Sequence, residues 1–536
     1  MRTMEISRDE GGTRFEHRGL LIFITLALVF AFGSSPAQAD DDDGVASEES
    51  ETGEIVVKIN PRSNATIEQI NSTYETTTRD AVLASGKIYL LEAPENLSAD
   101  DLSETMETDT RLLYAEPNYA IESPEGNPRR HAARSTDYRP VQSSEPDYSA
   151  QYAIGAIRLG TAHRTEDGAG TTVAVLDTGV QGNHPELAGS LVAGYDYVED
   201  NADPSEAESG EMVGHGTHVA GIVHLTAPAA KIMPMRVLDA DGKGDVFLIA
   251  EAVQGAVERG ADVINLSLGS SEESDLLEDV FKELSEPEDD DDLPAVAGVP
   301  REGVVVVGAA GNNNSVTEQY PSAEDGVISV ASVDQNEQKS EFSSFGPEWV
   351  DVAAPGEDIH SLFPASGYAS WDGTSMATPF VAGQAALIRG LRPNLPAARD
   401  DDDPANASVE GVIKSSARAL ADKSLGAGHA DAARSLNVAN LAPSVTPVNP
   451  KPGARIKSRT PVIAATVRDP GSTLAKSNIR LFVRGVERKN FTYAPSTGRL
   501  SFKTPKLPYG ATGVRIVARD DLGKSASRSW SFRVIR

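Results

Sequence analysis

The strongest constraint on the fold is a set of almost wholly apolar segments in the middle of the chain. Each is five to eight residues long and rich in Val, Ile and Ala. Such segments, separated by helical stretches such as Val246–Arg259, are typical of a parallel sheet covered on both faces, because a sheet with one wet face would alternate apolar and polar residues. We therefore predict an α/β domain with a parallel sheet over residues 147–440. The predicted strands are Thr171–Leu176, Lys231–Leu238, Ala261–Leu268, Val304–Gly308 and Val327–Val333.

A small α+β domain is predicted in front of this sheet, over residues 54–122. Its predicted elements follow the order β-α-β-β-α-β, which is typical of a ferredoxin-like unit. Ser98 stands where it can cap the second helix. Residues 123–146 contain four prolines and are predicted to be an exposed linker. The predicted elements are Ile55–Ile59, Ala65–Ile70, Ala81–Leu83, Lys87–Leu91, Ser98–Met106 and Leu112–Asn118.

The C-terminal part of the chain has a different pattern. Residues 456–536 consist of short segments of alternating apolar and polar residues, separated by turns that contain glycine. This spacing is typical of an all-β sandwich, and we predict an Ig-like domain. The proline-rich stretch 441–455 is predicted to be the linker that joins it to the α/β domain.

The N-terminus carries the features of an export signal over residues 1–39. Arg14 and Arg18 precede the apolar run Leu20–Phe32, and Ala37–Ala39 supplies the small residues that a signal peptidase needs. An uncleaved anchor is the alternative, although the run is short for a membrane span. Residues 40–53 begin with four aspartates and are predicted to be a disordered acidic spacer. We predict a secreted, extracellular protein that is not an integral membrane protein.

Charge is distributed unevenly along the chain. The net charge is −32 and there is no cysteine, which excludes disulfides, thiol chemistry and cysteine-based zinc sites. Residues 443–536 hold 19 Lys and Arg against four acids, so that part carries about +15. The overall acidity argues against nucleic acid as a partner. The basic C-terminal domain is expected to bind an anionic extracellular polymer, to dock on the acidic remainder of the chain, or merely to be soluble.

Three separate stretches carry residues suited to catalysis. Asp177 ends a predicted buried strand, at the edge of a parallel sheet where functional sites gather. His215 lies between glycines at the start of a helix of small residues. Ser375 follows Gly373-Thr374 at or near another helix start, where free N–H groups can stabilise an anion. A serine needs a base and an orienting carboxylate to act as a nucleophile, and the order Asp, His, Ser occurs in one class of serine triad.

Each stretch also has a purely structural explanation. Ser375 suits a helix N-cap, and Asp177 suits a turn cap at a strand end. His215 and His218 together suggest a metal site, but the sequence offers no third ligand at helical spacing, so we predict no metal. The acidic inserts Glu286–Asp292 and Asp400–Asp403 are expected to be solvated loops rather than cation sites.

Taken together, the stretches resemble the subtilisin-like serine peptidases, the subtilase family. The resemblance covers roughly residues 150–435. It also implies that residues 54–122 are an inhibitory propeptide, removed by self-cleavage, with Glu116-Pro117-Asn118 as the most recognisable part. The resembling residues are Val173–Pro185, His215–Gly221, Ile264–Gly269, Val305–Asn312, Phe342–Pro347, Ala353–Gly356 and Gly373–Gly383.

The resemblance implies a role for each catalytic residue. Ser375 is the nucleophile, His215 the general base, Asp177 the residue that orients the histidine, and Asn312 the side-chain donor of the oxyanion hole. A polypeptide substrate is expected to lie extended between two edge strands, with small residues leaving an open primary pocket. The residues implied in substrate binding are Gly242, Ser267, Leu268, Gly269, Ala309, Ala310 and Gly311.

The chemistry implied by the resemblance needs no cofactor. Gly221–Pro228 runs on without the family's calcium loop, so structural calcium is possible but not supported by the sequence. We expect a monomer whose partners are polypeptide substrates and its own propeptide. One alternative function is a catalytically silent subtilase-like binding or surface protein that binds its partner through the basic sandwich domain. Another is a processing protease with a cation-binding pocket, but the characteristic second domain of that group is not evident in the sequence.

Overall fold

A computed structural model describes the chain in nine segments. The predicted signal peptide, nearly all of the acidic spacer, most of the first linker and both acidic inserts lie outside these segments. Among the described residues no helix is both long and apolar enough to cross a membrane. The described segments are residues 53–82, 87–125, 140–285, 299–300, 302–398, 408–440, 442–469, 474–520 and 523–536.

The first domain has the predicted β-α-β-β-α-β order and a four-stranded antiparallel sheet of order β2-β3-β1-β4. Ile55, Val57 and Ile59 alternate along the first strand and pack under the two helices. The opposite face of the sheet carries Val56 and Leu90, which join the hydrophobic core of the next domain. The elements are β1 Glu54–Ile59, α1 Ile67–Tyr74, β2 Thr77–Val82, β3 Ile88–Glu92, α2 Ala99–Glu107 and β4 Leu112–Pro117.

Two short strands lie just before and within residues 123–146, the segment predicted as the first linker. Strand β5 Ala120–Glu122 ends the first domain, and β6 Val141–Gln142 pairs antiparallel with a later strand. Three short helices follow and pack against the main core. They are α3 Glu145–Ala150, α4 Tyr152–Ala156 and α5 Leu159–Ala162.

The central domain is built on a seven-stranded sheet whose pairings are all parallel, as the apolar segments predicted. Its order is β14-β13-β12-β11-β7-β9-β8. The strands and helices are β7 Thr172–Asp177, β8 Tyr195–Asp196, α6 His215–Thr226, β9 Lys231–Arg236, β10 Lys243–Asp245, α7 Val246–Glu258, β11 Val263–Leu266, α8 Asp275–Ser285, β12 Val305–Ala309, β13 Val327–Val333, β14 Val352–Pro355, β15 Ile359–Phe363, β16 Gly367–Trp371, α9 Thr374–Leu391, α10 Val409–Ser416 and α11 Ala432–Ala439.

Alternate residues of each central strand face different helical layers. On β7, Val173 and Val175 pack with α6 and α9, whereas Ala174 and Leu176 pack with α7 and α8. Both faces of the sheet are therefore buried, which explains why its strands read as continuous apolar runs. The carboxyl ends of β7, β11 and β12 lie at one edge of the sheet because the strands are parallel, and the loops that follow them face one another there.

The C-terminal domain consists of two β-sheets around one core. Their orders are β17-β19-β23-β22 and β18-β25-β24-β20-β21, and apolar residues of both sheets form a common cluster. The stretch predicted as a linker contains a strand, β17. It forms because Val445 pairs with Val467 and packs on this core. The elements are β17 Ser444–Asn449, β18 Arg455–Ile456, β19 Val462–Arg468, β20 Ile479–Val483, β21 Val486–Arg488, β22 Thr492–Ala494, β23 Arg499–Lys503, β24 Gly510–Arg519 and β25 Ser525–Val534.

A buried ion cluster joins the C-terminal domain to the end of α9. The Arg392 guanidinium lies 3.4 Å from an Asp520 carboxylate oxygen and 3.8 Å from one of Asp469, and all three side chains are fully buried. Two of the four acids in this domain are thus used against a cation of the central domain. In this contact the C-terminal domain supplies the acids and the central domain the base, which is the reverse of the predicted docking of basic residues on an acidic surface.

Candidate active site

The histidine of the His-Gly-Thr motif is the first residue of α6, and its position depends on the glycines around it. Gly214 has φ +97°, a left-handed conformation that favours glycine, and a Cβ there would clash with the Phe363 ring. A Cβ on Gly216 would clash with the Gly179 carbonyl oxygen. The helix can therefore begin directly against the end of β7, which brings the imidazole of His215 to Asp177.

A short hydrogen bond joins these two residues in the interior. The Nδ1 atom of His215 lies 2.7 Å from Oδ1 of Asp177, and both side chains are fully buried. The same Asp177 oxygen accepts a bond of 2.8 Å from the Thr178 backbone N–H, which fixes the carboxylate. This arrangement keeps a proton on Nδ1 and turns Nε2 towards the cleft, so that loss of the proton from Nε2 would give the tautomer that a general base requires.

The serine of the Gly-Thr-Ser motif is the second residue of α9. A Cβ on Gly373 would clash with the carboxylate of Glu125, so glycine at this position leaves room beside the serine for an incoming group. The Ser375 Oγ donates 2.8 Å to Oε2 of Glu125, and His215 Nε2 lies 3.2 Å from the same oxygen. The serine hydroxyl and the imidazole are thus close enough to contact one oxygen atom.

Asn312 faces the same point from the loop after β12. Its Oδ1 accepts bonds from the Thr374 backbone N–H (3.0 Å) and from the Thr374 hydroxyl (2.9 Å), which fixes the orientation of the amide. The Nδ2 group is therefore turned towards the cleft, where it donates 2.9 Å to Oε1 of Glu125. A fixed N–H donor beside a serine is the arrangement that stabilises an oxyanion.

The predicted substrate-binding residues fall into two groups. Gly242 and Gly269 bond through their backbone to Ser123 and Glu122, respectively, and Ala309 and Gly311 line a small pocket together with Pro124. Ser267 donates its hydroxyl to the Ser375 carbonyl oxygen at 3.0 Å. By contrast, the side chains of Leu268 and Ala310 are buried in two hydrophobic clusters, Leu268 under α7 and Ala310 beside Ala331 and Val333.

The charge state of the histidine reflects two carboxylates. Burial alone would lower the pKa of His215, but Asp177 and Glu125 outweigh it and raise the pKa to about 10. Burial opposes the ionisation of Glu125, yet its bonds from His215, Ser375 and Asn312 lower its pKa. The imidazole is therefore protonated and held between two negative groups in this state of the chain.

His218 has a structural position. Its Nε2 lies 3.1 Å from the Ile359 carbonyl oxygen and 3.2 Å from that of Ala369, and burial lowers its pKa to about 3. Trp371 packs edge-on against both histidine rings. Within the segments that the structure describes, no group of three or more His, Asp or Glu side chains is placed to hold a metal ion.

Sequence reasoning missed a buried carboxylate that joins the segments of Asp177 and His215. Glu206 accepts bonds from the backbone N–H groups of Gly214 (3.0 Å) and Thr217 (2.9 Å), and from the hydroxyl groups of Thr178 and Thr217. It therefore caps the N-terminus of α6 from outside the helix and ties it to the residue after Asp177. No local pattern marks Glu206, because it lies in an acidic loop among other acids.

Comparisons with known proteins agree with this geometry. A model of the subtilase family matches residues 168–431, and a model of the fervidolysin N-terminal prodomain matches residues 36–118. "Thermitase" of Thermoactinomyces vulgaris is 41% identical over 46% of this chain and 84% of that protein. "Subtilisin BL" of Lederbergia lenta is 35% identical over 52% of this chain and 94% of that protein.

Two further matches cover less of the relative's length or have a low TM-score. "Thermophilic serine proteinase" of Bacillus sp. (strain AK1) is 38% identical over 51% of this chain and 62% of that protein. A solved structure of a protease from Pseudoalteromonas arctica is 30% identical, with a TM-score of 0.46, over 55% of this chain and 99% of that one. On the identity and coverage of the first two relatives, the chain belongs to the subtilase family and is a serine-type endopeptidase with an N-terminal prodomain.

Proposed function

We propose that this chain is a secreted, self-maturing endopeptidase that hydrolyses proteins through an acyl-enzyme on Ser375. The observation that carries the proposal is the convergence of three side chains on one carboxylate: His215, which is held by Asp177, together with Ser375 and Asn312. A substrate carbonyl in that position would meet a nucleophile, a base and an oxyanion donor at once.

The roles of these residues follow from their positions. The Ser375 Oγ attacks the scissile carbonyl carbon while His215 Nε2 removes its proton, and Asp177 stabilises the imidazolium that forms. The Asn312 amide and the Ser375 backbone N–H stabilise the negative oxygen. The imidazolium then gives its proton to the leaving amine, and a water molecule releases the acyl group from Ser375 by the same steps.

The proposed organisation follows the predicted boundaries. Residues 1–39 act as the signal peptide, residues 54–122 as the propeptide that the enzyme removes itself, and residues 147–440 as the peptidase domain. The substrate strand lies between Gly242–Gly244 and Ser267–Gly269, where backbone bonds tolerate varied side chains. The chemistry is proposed to need no cofactor, and the protein to act as a monomer.

The competing function is a catalytically silent binding protein with the same fold. A fluorophosphonate reagent labels a serine only where a base activates it. We expect it to label Ser375 of the secreted protein and to stop casein hydrolysis in proportion to the labelling. Mass spectrometry of the same sample gives the N-terminus of the product. A protein that is folded but neither labelled nor active on casein would favour the silent alternative.

The role of the first domain as an inhibitor is supported by its docking surface. The carboxylate of Glu116 accepts bonds from the Ser274 hydroxyl (2.9 Å) and from the backbone N–H groups of Asp275 (2.8 Å) and Leu276 (3.0 Å) at the start of α8. Asn118 accepts a bond of 3.1 Å from the Phe247 N–H at the start of α7. The domain thus binds two helix N-termini of the peptidase domain, which are electropositive.

This docking gives a quantitative prediction. Replacing Glu116 with alanine in a fragment of residues 54–125, added to the active enzyme, is expected to raise the inhibition constant about 10–100-fold. The reason is that three donors, of which the Ser274 hydroxyl and the Leu276 N–H are buried, lose their carboxyl acceptor, at about 1.5–3 kcal/mol. Glu104→Ala, on the exposed side of α2, is the matched control and should change the constant little. Equal inhibition by both variants would contradict the docking role of Glu116.

The basic C-terminal domain is proposed to bind an anionic extracellular polymer. Its outer sheet face carries Phe482 with the guanidinium groups of Arg480 and Arg515 at 5.1 and 6.0 Å from the ring centroid. Retention of the protein on a sulfated polysaccharide at low salt, and its loss at high salt, tests this proposal. Elution at the same salt after Arg480 and Arg515 are replaced by serine would argue against this face.

A further inference from the structure

The last residues of the first domain lie in the groove where a substrate is expected. Strand β5 pairs antiparallel with β10, with Ile121 opposite Gly244. On its other side Glu122 exchanges two backbone bonds with Gly269, of 3.1 and 2.9 Å, and the Ser123 N–H donates 2.8 Å to the Gly242 carbonyl. This register fixes which residue of the strand reaches the nucleophile.

Proline occupies the position nearest to the primary pocket. In an antiparallel pair with Glu122 opposite Gly269, the residue opposite Ser267 is Pro124. Proline has no N–H, so the strand cannot donate to the Ser267 carbonyl oxygen at this point. That oxygen lies 3.4 Å from the Ser375 hydroxyl instead. The strand therefore lacks one of the backbone bonds with which a substrate would be held for cleavage.

The next residue fills the catalytic centre with a carboxylate. Oε1 of Glu125 accepts from Asn312 Nδ2 at 2.9 Å, and Oε2 accepts from the hydroxyl groups of Ser375 and Ser123, both at 2.8 Å. Oε2 also lies 3.2 Å from Nε2 of His215, and the Glu125 side chain is fully buried. The carboxylate thus takes the place where the oxygen of a reacting carbonyl would bind its donors.

This contact removes the two functions that hydrolysis needs. The serine hydroxyl donates its proton to Glu125 rather than to the imidazole. Both nitrogens of His215 face carboxylates, Asp177 at Nδ1 and Glu125 at Nε2, so the ring is stabilised as an imidazolium. An imidazolium has no lone pair with which to accept the serine proton. While Glu125 remains in place, the serine has no base and the Asn312 donor of the oxyanion site is occupied.

We propose that the oxyanion site of this enzyme is also a carboxylate-binding site, and that Glu125 fills it as an inhibitory side chain that blocks hydrolysis for as long as it is bound. Self-cleavage of the unprocessed chain then requires the Glu125 carboxylate to leave this site first. The ligand class is an extended peptide with proline beside the primary pocket and a carboxylate side chain on the following residue. This inference rests on the proposed function, since it concerns regulation of the same catalytic centre.

Three peptides test it on the enzyme after its propeptide has separated. Each covers residues 120–125 and is acetylated and amidated, so that side chains supply the only carboxylates. The parent peptide is Ala-Ile-Glu-Ser-Pro-Glu. One variant carries Glu125→Gln, and the control carries Glu122→Gln, which has the same net charge but leaves the carboxylate in the oxyanion site. The inhibition constant of each is measured with a fluorogenic peptide substrate.

We expect Glu125→Gln to raise the inhibition constant about 10–100-fold, because a charged acceptor with four polar partners is replaced by an amide. Glu122→Gln should change it only a few-fold, since its nearest cation, Lys243, is 4.0 Å away and half exposed. Equal inhibition by the parent peptide and the Glu125→Gln variant would overturn the inference, as would cleavage of the parent between Pro124 and Glu125 at the rate of a good substrate. Absence of hydrolysis before any peptide is added would instead contradict the proposed function.

Discussion

Replacing Ser375 with alanine is expected to reduce casein hydrolysis to background. In subtilisin, a member of the same family, loss of the nucleophilic serine costs about 10⁶-fold in kcat, and the same order is expected here. The physical reason is that the imidazole of His215 then has no hydroxyl to activate. The rate is measured on secreted protein whose folding is checked by thermal unfolding, and Ser496→Ala, in an exposed turn of the C-terminal domain, is the matched control.

The same variant tests self-cleavage. Without Ser375 the chain cannot cut itself, so the secreted Ser375→Ala protein is expected to retain residues 40–146, as measured by intact mass. The Ser496→Ala control should be trimmed like the unmutated protein. A Ser375→Ala protein trimmed to the same length, in a host without other proteases, would contradict self-maturation. Casein hydrolysis that survives the substitution would contradict the role of Ser375 itself.

The second large effect is expected from Asn312→Ala. The substitution removes the amide that Thr374 holds towards the cleft, and loss of such a donor costs about 10²–10³-fold in kcat. The value of KM should change less, because the donor acts chiefly on the charge that develops in the transition state.

The measurement of Asn312→Ala must allow for slower maturation. The concentration of active enzyme is therefore determined by titration with the fluorophosphonate before kcat is calculated. Asn336→Ala, in an exposed turn, is the control and should leave kcat unchanged. A similar loss in both variants, or an unchanged kcat in Asn312→Ala, would argue against the oxyanion role.

The linker predictions illustrate where sequence reasoning failed. Residues 444–449 lie in the stretch predicted as a linker, but Ser444–Asn449 forms β17, because it pairs with β19 and Val445 packs on the core of the C-terminal domain. Ala120–Glu122 lies in the predicted first domain, after the last strand predicted there, and is a strand because it pairs with β10 and Gly269, which lie far away in the sequence. Such pairings depend on the partner and leave little trace in the segment itself.

The sequence by itself determined the layered α/β core and the identity of the catalytic candidates. Apolar runs buried on both faces predict a parallel sheet. Asp177 ends one of its strands and Asn312 follows another, so both residues lie at the carboxyl edge of the sheet. What only the tertiary structure decided is which distant groups meet there. Glu206 reaches Thr178, 28 residues before it, and Glu125 reaches Ser375, 250 residues away along the chain. The spacing of apolar residues shows which face of a helix or strand is buried, because every turn or pleat places a residue on that face. A single long-range contact of one carboxylate leaves no repeating pattern in the sequence.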